Sequence, residues 1–127
     1  MPYRHRGISG LSPLALSKLG VAGIVKLHGS LEDRLRSKAI ATVQIDNEQF
    51  RVTEWRFPPG TETGWHRHEL DYVVVPMTTG ELQLQTNDGD SVNQLTAGQS
   101  YTRAAGSEHN VVNPGPGEFV FVEVEAK

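Results

Sequence analysis

His66, His68 and His109 are the residues whose type and spacing carry chemistry in this chain of 127 residues. His66 and His68 stand two apart, and in a strand a period of two puts both imidazoles on one face. A third imidazole from another strand completes a set able to hold a divalent metal inside a small barrel, with positions left for water or substrate. Taken alone, an H-x-H pair also fits a chance pair on a polar face. The chain has no cysteine, which excludes disulfides, thiolate catalysis and cysteine-based zinc sites, so any metal must rest on histidine and carboxylate. Neither a G-x-S-x-G elbow nor a phosphate loop ending in Gly-Lys-Ser or Gly-Lys-Thr is present.

The elements that must position these histidines read as strands. From Ile40 onward the chain breaks into short apolar or alternating runs, at 41–45, 49–57, 63–68, 72–77, 81–86, 92–95, 100–103, 109–112 and 118–125. Between them lie turn sequences such as Pro58-Pro59-Gly60, Asn87-Asp88-Gly89-Asp90 and Asn113-Pro114-Gly115-Pro116-Gly117. Nine short strands without crossover helices predict an all-β antiparallel fold, a two-sheet jelly roll or closed barrel. Val73, Val74 and Val75 read as a strand buried on both faces. Phe119, Phe121 and Glu123 alternate with Val120, Val122 and Val124.

Charge divides the chain near residue 38. Residues 1–38 carry seven basic side chains against two acids, whereas residues 39–127 carry five against thirteen. The domain reading follows: a basic extension over 1–38 and one barrel domain over 39–127. The first 31 residues have no acid, several serines and breaks at Pro13, Gly20, Gly23 and Gly29, which leaves three readings open. They are a loosely ordered extension or early start codon, a targeting segment, and a packing or dimer arm. A short helix is predicted over 31–39, with Ser30 as its N-cap. The acidic body argues against nucleic acid as a partner, and no apolar run is long enough to span a membrane. A soluble chain in the cytoplasm is the expectation, or in an organelle if 1–31 form a transit peptide.

Two spaced patterns organise the histidines. Gly60 is followed after five residues by His66-Arg67-His68 and later by Gly80; Gly98 is followed at set intervals by Ala104, Gly106, His109 and Asn113. In this the sequence resembles the cupin superfamily, over roughly residues 42–125, whose motifs have the form G-x5-H-x-H-x3 or x4-E-x6-G and G-x5-P-x-G-x2-H-x3-N. Every spacing of the second motif holds, with Ala104 in place of proline. The stretch from Gly64 to Pro76 also resembles a bacterial subgroup of small cupins, some named after β-alanine degradation.

The resemblance implies a double-stranded β-helix, a metal held by His66, His68 and His109, and homodimerisation. The glutamate that usually completes the set is missing, because Tyr72 or Val73 stands at its place. Three arrangements stay open: Asp71 as fourth ligand, three histidines with waters, or no physiological metal. Strict alternation puts Asp71 on the face opposite the histidines. A histidine-only set favours iron first, with nickel, zinc, manganese or copper as alternatives. Related three-histidine cupins imply a dioxygenase acting on a small organic acid or amine-derived metabolite. The alternative is a non-catalytic module that binds or senses a small ligand. Arg103 offers a fork to a substrate carboxylate, and Tyr72 and Tyr101 offer phenols to the pocket, each set against solvation or packing. Glu108 and Asn110 point away from the face of His109, and no residue is singled out as the catalytic acid or base.

Overall fold

The computed structural model describes residues 35–127. Every named element there is a strand: β1 (Ile40–Asp46), β2 (Phe50–Phe57), β3 (His66–Arg67), β4 (Tyr72–Pro76), β5 (Gly80–Thr86), β6 (Gly89–Leu95), β7 (Tyr101–Arg103), β8 (Glu108–Val112) and β9 (Phe119–Ala126). They form two antiparallel sheets, one of order β1-β2-β9-β4-β7 and one of order β3-β8-β5-β6. This is the jelly roll expected from the turn-punctuated runs. The turns hold for the reasons their sequences give. Gly98 and Gly106 have φ of +82° and +97°, a region that costs a side chain strain, and they open and close the segment that leads into β8.

Alternation along each strand decides what faces inward. In β9 the buried row is Phe119, Phe121, Glu123 and Glu125, and in β2 it is Thr53, Trp55 and Phe57. The aromatic members, with Val74, pack against Leu82 and Leu84 of β5 and Val111 of β8. Full burial of such side chains stabilises by about 1.5–3 kcal/mol each. Toward the other end of the sheet the inward row turns polar. Arg103 pairs with Tyr72, which pairs with Glu125; Tyr101 pairs with Val74, which pairs with Glu123. One half of the barrel is therefore an apolar plug and the other is lined with charge.

Three local expectations are corrected. The helix predicted over 31–39 lies partly outside the described residues. Of its described end Leu35 is helical and residues 36–39 are not, because Lys38 bridges Glu62 in parallel and Ala39 donates its N–H to the Glu62 carbonyl at 2.7 Å. A backbone already bonded to another segment cannot also close helical turns. Val73 and Val75 are half-buried whereas Tyr72, Val74 and Pro76 are buried, so β4 alternates and is not covered equally on both faces. The run at 63–68 keeps only two residues as strand, since Thr63 bonds Val111 and His68 bonds Ser107 through single contacts at either side.

Candidate metal centre

His66 on β3 and His109 on β8 face each other as register partners. His68 follows β3 directly. Its N–H donates to the Ser107 carbonyl at 2.8 Å and its carbonyl accepts from Gly106 N–H at 2.7 Å, which ties it to the turn before β8. Strand pairing and this turn bring together three rings that are 41 to 43 positions apart in part of the set. The Nε2 atom of His68 lies 3.0 Å from that of His66 and 3.1 Å from that of His109. All three side chains are buried, at 3%, 1% and 4% exposure. A metal about 2.0–2.1 Å from each nitrogen, with ligands near right angles, needs nitrogens about 3 Å apart. The His66–His68 and His68–His109 pairs meet that requirement, and all three nitrogens lie within 4.8 Å of one another.

The protonation states suit ligation. Burial lowers the pKa of His66, takes that of His68 to about 3 and that of His109 to about 2, with neighbouring imidazoles adding to the effect. The rings are thus neutral near pH 7, the form that binds metal. The Nδ1–H of His66 donates to the Gly64 carbonyl at 2.8 Å, which leaves its Nε2 lone pair facing the other two rings. Gly64 is itself fixed: its N–H donates to Asn110 Oδ1 at 2.8 Å, and Asn110 Nδ2 donates to Glu62 and Gln85. Glu62 in turn pairs with Arg36 at 3.3 Å and Lys38 at 3.0 Å. Asn110 does point away from the His109 face, and there it holds the backbone that orients His66.

Asp71 is not brought to the histidines. It is exposed, and its Oδ1 accepts from Ala105 N–H at 2.7 Å. Alternation is the reason: Tyr72 turns inward at the start of β4, so Asp71 turns outward and caps the β7–β8 turn. Tyr72 itself is buried at 4% exposure and stacks on His68, with ring centroids 3.9 Å apart and planes at 22°. Burial raises its phenol pKa well above the usual range, followed by the repulsion of Glu123. Its hydroxyl has no hydrogen-bond partner among the described residues. Tyr101 and Arg103 line the same cavity, with the guanidinium 5.6 Å from the Tyr101 ring centroid.

Two further carboxyls that the motif reading missed lie close by: Glu123 lines the cavity, and Glu125 stands beside it. His68, Glu123 and Glu125 form a second buried group whose ligand atoms lie within 4.8 Å of one another. Burial, then repulsion from Glu125, raises the pKa of Glu123 to about 8. The signal was in the alternation of β9, where acids continue the inward row begun by Phe119 and Phe121. The cavity measures about 30 Å³, on a scale where one water needs roughly 10–15 Å³, so it suits a ligand of few atoms.

A small jelly roll with three inward histidines on facing strands defines the protein class, and the Cupin domain family (Cupin_2) matches residues 53–125. The chain belongs to the cupin family. It is similar to the "Beta-alanine degradation protein BauB" of Pseudomonas aeruginosa, with 59% identity over 92 residues that cover 72% of this chain and 97% of that protein. A solved cupin domain from Bordetella pertussis shares 68% identity at a TM-score of 0.72, covering 72% of this chain and 96% of that one. An uncharacterised double-stranded β-helix protein from Klebsiella pneumoniae shares 28% identity at a TM-score of 0.59, covering 75% and 85%. No helix among the described residues is long and apolar enough to cross a membrane.

Proposed function

We propose that this chain is a metal-dependent cupin that acts on a small organic acid or amine-derived metabolite of β-alanine catabolism, as an iron-dependent dioxygenase with His66, His68 and His109 as ligands. The observation that carries this reading is the convergence of three neutral Nε2 atoms, 3.0 and 3.1 Å apart, on the wall of a small cavity. The name of the Pseudomonas aeruginosa relative supports the metabolic setting. When bound, iron supplies one-electron chemistry with dioxygen and a coordination position for the substrate. The protein's own residues do the rest. Gly64 and Asn110 fix the orientation of His66, Tyr72 covers one face of His68, and the apolar half of the barrel keeps bulk water from the histidines. Arg103 and Tyr101 face the substrate space.

Elemental analysis of protein purified without a His tag tests this. About one equivalent of transition metal is expected, lost in His68→Ala, together with oxygen consumption by the iron-loaded protein on a small acid or amine substrate. Protein that retains no metal after exposure to iron, nickel and zinc would overturn it. The second reading is a ligand-binding module in the same barrel. It is favoured by the residue at the place of the usual cupin glutamate, where Tyr72 stacks on His68 and no carboxylate completes the set. Metal bound without turnover would support it.

A further inference from the structure

We infer that the cavity selects a small zwitterion, with Arg103 taking the carboxylate and the Glu123–Glu125 pair taking the ammonium group. The inference rests on the proposed function and names the substrate class of that site. Three observations carry it. First, Glu123 and Glu125 are 4% and 3% exposed, and Glu123 lines the cavity without a cationic partner among the described residues. Two buried carboxyls side by side offer several acceptor oxygens and no cation, and an entering ammonium group donates to both and balances whichever is ionised. Second, the Tyr72 hydroxyl is buried without a partner at the same cavity, and its environment is set by Glu123, Arg103, Tyr101 and Glu125. An unsatisfied buried hydroxyl points to a polar ligand atom.

Third, the charges are arranged at opposite sides of that hydroxyl. Arg103, Tyr72 and Glu125 form one cross-strand row over β7, β4 and β9. Two strand spacings separate the Cα atoms of the outer pair by roughly 10 Å. Arg103 has no carboxylate within ion-pair distance among the described residues, so its fork is open to a ligand. A ligand with one charge leaves either the carboxyl pair or the arginine without a partner. A short amino acid with its amine at the far end of the chain satisfies both.

Calorimetric titration with three probes of equal chain length tests this: β-alanine, propionate and n-propylamine, each on metal-loaded and on metal-free protein. β-Alanine is expected to bind at least about tenfold more tightly than either singly charged probe. Glu123→Gln should abolish the preference over propionate while leaving propionate affinity within about twofold, and Arg103→Gln should abolish the preference over n-propylamine. Equal affinities for β-alanine and propionate, a preference that survives Glu123→Gln, or no binding of any probe to either form would overturn the inference. Metal content of the same samples separates the two questions. Metal retained without discrimination counts against the zwitterion alone, and discrimination by protein that takes up no metal on exposure to iron, nickel or zinc counts against the metalloenzyme alone.

Discussion

Asp71 and Glu123 show how position decides the work of a carboxyl. Asp71, the nearest acid to the missing motif glutamate, spends its oxygen on Ala105 N–H. Asp71→Ala should therefore leave metal content unchanged while lowering stability by about 1 kcal/mol, read by elemental analysis and urea unfolding. Glu123 has the opposite character, and it gives the metal-free protein an unusual pH dependence. His68 and His109 stay neutral in the fold down to about pH 3 and 2, whereas the unfolded chain takes up their protons below 6.5. Stability thus falls as pH drops below 6.5. Glu123 keeps its proton in the fold up to about pH 8, whereas the unfolded chain releases it above 4.5. Stability from this group falls as pH rises through that window. The histidines outweigh it below 6.5 and it acts alone above, so metal-free stability should peak near pH 6.5, with limbs of about 1.4 kcal/mol per pH unit for each group titrating. Glu123→Gln should remove the alkaline limb. Thermal unfolding from pH 4 to 9 checks both, and a curve still rising at pH 8 in the unmodified protein would refute the assignment.

At the level of elements, the centre depends on a relay across three segments. The Arg36–Lys38 segment clamps Glu62, Glu62 accepts from Asn110 on β8, and Asn110 holds Gly64, whose carbonyl fixes the His66 ring. Asn110→Ala leaves the buried Gly64 N–H without its acceptor, a loss of roughly 1–3 kcal/mol. It should also speed metal release, since His66 loses the restraint on its ring while all three ligands remain. Metal off-rates measured with a chromogenic chelator separate this from plain destabilisation: in a core variant of equal stability loss, such as Val111→Ala, the off-rate should stay near that of the unmodified protein.

Across the whole molecule, β1 is exposed along its length and forms the edge of its sheet, with Ile40, Val43 and Ile45 at 53%, 55% and 48% exposure. An edge that no other described strand covers, with apolar side chains, is a site for pairing with another chain. The homodimer implied by the family resemblance is proposed to form there. Light scattering should give twice the 14.0 kDa chain mass, and Val43→Lys should shift the protein toward monomer. A monomer at all concentrations in the unmodified protein would refute it.

What the sequence by itself determined is local and periodic. Glycine, proline and asparagine marked the turns, period-two alternation marked the strands, and the intervals Gly60 to His68 and Gly98 to Asn113 singled out the three histidines. These are legible because φ preference and side-chain facing depend on residues close in the chain. What only the tertiary structure decided depends on pairing between distant strands. The register of β3 on β8 sets His66 opposite His109, and the pairing of β7, β4 and β9 puts Arg103, Tyr72 and Glu125 in one cross-strand row. Alternation turned Asp71 outward, and the pairing of β4 with β7 gave it the Ala105 N–H to cap. No interval in the sequence encodes these distances. They arise because the two sheets close on a shared apolar half, and that closure places β9's acids beside His68.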